Sequence, residues 1–110
     1  MKKEILLLRK EALSTMDGEK LYDLAQCYEN INQFGNPNPF FSNFKRLYWY
    51  FKSAKEGYPE AYNNIGYIIE HEMNVKNKEK RFLYYYKKSS EMGSKLGLEN
   101  YLLSLKQIKK

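Results

Sequence analysis

Leu47-Tyr-Trp-Tyr-Phe-Lys-Ser-Ala-Lys-Glu-Gly57 is answered 93 − 57 = 36 residues later by Leu83-Tyr-Tyr-Tyr-Lys-Lys-Ser-Ser-Glu-Met-Gly93. At that offset Leu47/Leu83, Tyr48/Tyr84, Tyr50/Tyr86, Lys52/Lys88, Ser53/Ser89 and Gly57/Gly93 are identical, and Trp49/Tyr85 keeps an aromatic ring. A fixed period of roughly 20–50 residues marks a repeat architecture, in which each unit buries its apolar face on a neighbour. Both copies carry the helical spacing of apolar residues and end on a glycine, so each reads as one helix with its stop signal.

Outward from this pair, the chain reads as helices throughout. Ile5, Leu8, Ala12 and Met16 give a first helix over 3–16, and Asp17 is placed to cap the next. Leu21, Leu24, Ala25, Tyr28 and Ile31 fall on one face of a helix over 18–31. Residues 32–43 hold two Pro, one Gly and four Asn, which makes a loop, longer than the usual connection of about 4–6 residues. Phe34, Phe40 and Phe41 are expected to pin it to the body, or to serve as a binding element. The third helix, 43–56, takes Ser42 or Asn43 as its cap, with Phe44, Leu47, Tyr48, Phe51 and Ala54 as its buried stripe. Pro59 opens a fourth helix that runs to Glu72, with Gly66 allowing a close neighbour. Residues 78–92 form the fifth. The sixth runs over about 94–107, with Leu98, Tyr101, Leu102 and Leu105 inward.

The expected fold class is therefore all-α: a short right-handed α-α superhelix, or solenoid, of antiparallel helix pairs with about six helices. One domain is expected over 1–110. It divides into an N-terminal helix (1–17), a first repeat (18–57) carrying the loop 32–43, a second repeat (58–93) and a capping helix (94–110).

Composition agrees with a globular chain: 43% of residues are hydrophobic and 29% charged. Eleven tyrosines suit the thin core of a repeat protein, where the ring is buried and the hydroxyl stays near a polar edge. A lone cysteine, Cys27, rules out an intramolecular disulfide and favours a reducing compartment. The opening Met-Lys-Lys-Glu is followed by the apolar run Ile5 to Leu8, short of the ~7–15 residues of an export core. No run approaches the ~20 apolar residues of a membrane span. A cytoplasmic protein with no membrane partner is expected. The net charge of +6, gathered around Lys76, Lys78, Lys80, Arg81, Lys87 and Lys88, favours an acidic partner, although lysines on outer helix faces are ordinary.

Laid out this way, the stretch from Lys45 to Gly66 resembles the Sel-one-like repeat family, a relative of the tetratricopeptide repeat. The residues that carry the likeness are Trp49-Tyr50, Lys52-Ser53-Ala54, Gly57, Ala61 and Ile65-Gly66. A second copy reads Tyr85-Tyr86, Lys88-Ser89-Ser90, Gly93, Gly97 and Tyr101-Leu102, with Val75 at the family's inter-helix turn. The chain departs from the pattern where Arg46 and Phe82 replace a small residue, and where Glu72 and Asn74 replace turn glycines. The resemblance implies an α-solenoid that acts as a scaffold or adaptor without chemistry of its own.

The candidate catalytic residues do not combine. Glu70, His71 and Glu72 are adjacent on a helix and point apart, and no second His or Cys completes a metal set. Cys27 has nothing basic placed by sequence to activate it. There is no glycine-rich phosphate loop and no Ser-His-Asp pattern, so a non-enzyme without cofactor or metal is expected. The first helix of each pair is expected to line a concave binding face for another protein. Its exposed stripe comprises Tyr22, Gln26 and Glu29, then Asn63, Tyr67 and Glu70, with Phe40 and Phe41 added by the loop. A stand-alone bacterial immunity or antitoxin-type protein would fit this size. The alternative is a nucleic-acid-associated protein using the basic helix around Lys76 to Lys88.

Overall fold

Four helices of this chain begin where a short polar side chain or a proline meets the first free amides. In the computed structural model, which describes residues 2–109, six helices follow in order. They are α1 (Lys2–Thr15), α2 (Gly18–Gln26), α3 (Asn43–Lys55), α4 (Pro59–Glu72), α5 (Lys78–Glu91) and α6 (Lys95–Ile108). Asp17 accepts from the Glu19 amide at 2.9 Å, Ser42 from Lys45 at 3.1 Å and Ser94 from Gly97 at 2.9 Å, each satisfying an otherwise orphan N–H. Pro59 opens α4, where its missing N–H loses no bond. Gly57 and Gly93 follow α3 and α5 with φ of +90° and +107°, a conformation that stops a helix and that glycine adopts without strain. The fold is all-α.

The chain gathers into two compact units, Met1–Glu56 and Gly57–Lys110. In the first, α2 packs on α1 and α3. In the second, α5 packs on α4 and α6, and α6 also reaches α4.

Inside each unit the same two tethers fix an antiparallel helix pair. In the first, the Ser53 hydroxyl donates to the Gly18 carbonyl at 2.6 Å, and the Tyr50 hydroxyl donates to Glu29 Oε2. In the second, Ser89 donates to the Pro59 carbonyl at 2.8 Å, and Tyr86 donates to Glu70 Oε1 at 2.8 Å. The last turns of the second helix thus meet the start of the first, and the tyrosine reaches the residues at the far end of the first. Both tyrosines are buried, and the small serines let the backbones come close. Gly66 completes the second pair: a Cβ built on it would lie 2.8 Å from the Tyr86 ring and 3.3 Å from the Phe82 carbonyl.

The buried face of α3 corrects the sequence reading. The side chains that turn inward are Arg46, Trp49, Tyr50, Ser53 and Ala54, while Phe44, Tyr48 and Phe51 are exposed on the opposite side. The helix is apolar on both sides, so hydrophobicity does not choose the face. The choice falls to the small residues Ser53 and Ala54 and to the polar anchors that Arg46 and Tyr50 find at Glu29. The same correction applies to α6. Its inward residues are Gly97, which lies against Ser89 of α5, and Asn100 and Ser104, which hydrogen-bond to α4, whereas Leu98 and Leu102 are exposed.

The loop after α2 is anchored by an asparagine, and of its phenylalanines Phe34 takes no part. α2 ends at Gln26, five residues before the 31 expected from periodicity, and continues as turns in which Tyr28 and Glu29 donate to the Ala25 and Gln26 carbonyls. Asn38 Nδ2 donates to the carbonyls of Cys27 and Glu29, at 2.8 Å each, covering acceptors that the unravelled end has exposed. Phe34 is open to solvent and Phe41 nearly half so, leaving only Phe40 partly covered.

Two outcomes follow from the second unit. Gly66→Ala should lower stability by about 1 kcal/mol, because displacing the Tyr86 ring outweighs the gain in helix propensity. Urea unfolding measures this, and a more stable variant would mean that the helices are not in close contact there. The second outcome concerns alkali. The Tyr86 phenol is held well above the usual tyrosine range, first by burial, then by its hydrogen bond to Glu70 and that carboxylate's charge. Above pH ~10 the unfolded chain releases this proton while the folded chain keeps it, so stability is full below that pH and falls as pH rises, by up to ~1.4 kcal/mol per pH unit. Tyr86→Phe should remove one proton's worth of that slope between pH 10 and 11.5.

Candidate functional site

The eight residues expected to form a partner-binding face separate into three groups. Glu29, Glu70 and Asn63 are used internally. Glu29 Oε1 accepts from Arg46 Nη1 at 2.6 Å and its Oε2 from Tyr50. Glu70 Oε1 accepts from Tyr86, and its Oε2 from the Ser104 hydroxyl at 2.9 Å. Asn63, expected at the surface, is 3% exposed, and its Oδ1 accepts from Asn100 Nδ2 at 2.8 Å. Its burial corrects the expectation: α6 lies over this side of α4, so Asn63 and Glu70 form an internal seam and only Tyr67 of the α4 stripe stays open.

Tyr22, Gln26 and Tyr67 form the second group. Tyr22 is half-buried with its ring 5.5 Å from that of Tyr50, and Gln26 Nε2 donates to its hydroxyl at 3.3 Å. Tyr67 is exposed and packs its ring 4.4 Å from the His71 imidazole. The loop residues are the third group. Phe41 lies beneath the Arg46 guanidinium, 5.1 Å from it, while Phe40 turns into a groove of the first unit.

That groove is the feature the sequence reading missed. It has a volume of about 370 Å³ and runs between α1, Phe40 and α3. Ile5 and Trp49 form its floor, both almost fully covered, and Leu6, Phe44 and Tyr48 stand open along its edges. Phe44 is 78% exposed. Three cations, Lys2, Arg9 and Lys45, complete the wall, and no carboxylate is found among the described residues that line it. Arg9 sits over the Trp49 ring at 6.0 Å, Lys45 over Tyr28 at 5.4 Å and, next to the groove, Lys52 over Tyr48 at 5.2 Å. Phe44 and Tyr48 stack with centroids 6.3 Å apart. The signal in the sequence was the smallness of Ser53 and Ala54, which marks the inner face and leaves the ring-and-lysine face outside.

The residues with catalytic potential stay apart. His71 Nε2 lies 3.1 Å from Glu70 Oε1, on a carboxylate already used by Tyr86 and Ser104. Among the described residues no group of three His, Cys, Asp or Glu is placed to hold a metal ion. Cys27 is half-buried and donates to the Asp23 carbonyl at 3.4 Å. Burial, and secondly the Asp23 charge, push its thiol upward, away from the thiolate a nucleophile needs. A second hollow, of about 420 Å³, borders Glu70, Lys78, Phe82 and Ser104 in the second unit, with polar and mixed-charge walls. No helix among the described residues is long and apolar enough to cross a membrane.

Arg46 is the buried charge on which the first unit turns: its guanidinium is covered, and it donates to Glu29 and, through Nε and Nη2, to Asn43 Oδ1. Glu29→Gln should therefore destabilise by about 3 kcal/mol, because it leaves that charge without its counter-ion. Adding Arg46→Met should restore most of the loss, since it removes the buried charge that Glu29→Gln leaves uncompensated. Urea unfolding of the single and double variants reads both numbers. Comparison of the chain with protein-family models, with curated proteins and with solved structures found no match in any of the three.

Proposed function

We propose that this chain is a non-catalytic protein-binding module of the Sel-one-like repeat kind, acting in the cytoplasm by holding or blocking a partner protein. The observation that carries this reading is the open apolar groove of the first unit, with Phe44, Tyr48 and Leu6 standing in solvent around a Trp49 floor. Exposed rings grouped about a concavity are the usual anchors of protein recognition, whereas singly scattered ones are not. Support for the repeat reading comes from the paired tethers, which recur at the positions the family pattern marks: Tyr50 and Ser53, Tyr86 and Ser89. A stand-alone immunity or antitoxin-type role is the setting in which such a module would act by occlusion alone.

A second reading has its own observation. On α5 the exposed residues Lys80, Arg81, Lys87 and Lys88 surround Tyr84, which is 58% exposed. Cations around an open ring could take single-stranded nucleic acid by neutralising phosphates and stacking a base. Exposed Glu79 and Glu91 at the two ends of the helix oppose a long polyanion there.

One experiment separates the readings. A photo-reactive residue is placed at Phe44, at Tyr67 or at Tyr84 of the full chain, and cells that naturally make the protein are irradiated. A discrete adduct from Phe44 or Tyr67 that is destroyed by protease and survives nuclease is expected. A nuclease-sensitive adduct from Tyr84 alone would move the assignment to nucleic acid, and the absence of any adduct would sink the binding reading.

A further inference from the structure

We propose that the groove of the first unit takes an acidic segment of another protein that inserts an aliphatic or aromatic anchor side chain. This inference rests on the protein-binding reading and adds the chemistry of the partner. The charge is one-sided: Lys2, Arg9 and Lys45 line the groove and no described carboxylate does. An occupant must therefore supply the negative charge, or the cations are brought together and desolvated without compensation.

The open surface also discriminates between kinds of anion. Stacking a nucleobase needs a free ring face. Here the Trp49, Tyr28 and Tyr48 rings already carry Arg9, Lys45 and Lys52 over them, at 6.0, 5.4 and 5.2 Å. What remains open is apolar surface at Leu6 and at Phe44, whose ring is stacked on that of Tyr48. Such surface gains from apolar side chains and gains little from phosphate or sugar. The apolar floor fits an anchor, and the cations at the edges fit carboxylates that flank it in the partner sequence. Rim charges of this type set orientation and association rate, while the anchor sets most of the affinity.

The test is a selection of random twelve-residue peptides, displayed on phage, against the full-length protein. Trp49 is the only tryptophan in the chain, so its emission reports filling of the groove directly. Selected peptides should be enriched in Asp and Glu on either side of a Leu, Phe or Trp, and should shift Trp49 emission on titration. Phe44→Ser and the double variant Arg9→Glu, Lys45→Glu should each weaken them by about tenfold. These side chains are exposed, so the variants should fold cooperatively, the charge-reversal pair with a urea midpoint lowered only by its two cation–π contacts. A library that enriches nothing, that enriches basic or uncharged peptides, or that yields acidic peptides insensitive to both variants overturns the inference. An oligo-dT twelve-mer that shifts Trp49 emission more strongly than the selected peptides overturns it as well. The parent reading stands or falls separately, on the cross-links: an adduct from Tyr67 without one from Phe44 keeps the binding module and removes this site from it.

Discussion

A tyrosine hydroxyl aimed at a glutamate decides how each helix pair in this protein is set. The second helix of a pair could slide along the first by a turn and still bury apolar surface, since its rings point to both sides. Tyr50 to Glu29 and Tyr86 to Glu70 remove that freedom at one end, and Ser53 to Gly18 and Ser89 to Pro59 remove it at the other. Each bond has a net worth of only about 1 kcal/mol, but a slipped register would leave a buried hydroxyl and a carboxylate oxygen unpaired, which is costlier. Direction and register therefore come from polar groups, and the apolar residues supply the bulk of the energy.

The carboxylates at these tethers are used to their full capacity, in two ways. Glu29 gives its other oxygen to Arg46 on the same second helix, and Glu70 gives its other oxygen to Ser104 on a third. The positions equivalent to Arg46 and Ser104 differ accordingly. At the 36-residue offset Arg46 becomes Phe82, because in the second unit the remaining oxygen is reached from α6. The first-helix anchors are spaced 70 − 29 = 41 and 59 − 18 = 41 residues apart, while the second-helix anchors are 86 − 50 = 36 and 89 − 53 = 36 apart. The five additional residues of the first unit lie in the Asn/Pro loop, where α2 gives up its last turn and Asn38 takes over the exposed carbonyls.

Helix positions, caps and stops were legible in the sequence because they depend on neighbours within a few residues: Asp17 with Glu19, Ser42 with Lys45, Gly57 after Lys55. What was not legible depends on partners far along the chain. The early end of α2 answers to Asn38, which comes twelve residues after Gln26. The burial of Asn63 answers to Asn100, 37 residues on. The inner face of α3 could not be chosen by counting apolar residues, since Phe44, Tyr48 and Phe51 on one side outweigh Trp49, Tyr50 and Ala54 on the other by no useful margin. Ser53 was the informative residue, because a small hydroxyl inside an aromatic helix points to a close backbone partner.

The echo itself distinguishes structure from use. On the inner face it is nearly literal: Tyr50/Tyr86, Ser53/Ser89 and the closing glycines repeat because both units need the same tethers. On the outer face the cations and the central ring persist, as Lys45/Arg81, Tyr48/Tyr84 and Lys52/Lys88, but Phe44 becomes Lys80 and Phe51 becomes Lys87. Nothing in the packing of the second unit asks for those lysines, and nothing in the packing of the first asks for an exposed Phe44. A lone ring left in water is unremarkable, but Phe44 stands where the second unit has a lysine, on the edge of a cavity with a tryptophan floor. The difference at Phe44 therefore falls on the side that the packing does not account for, which is what the binding surface we propose would require.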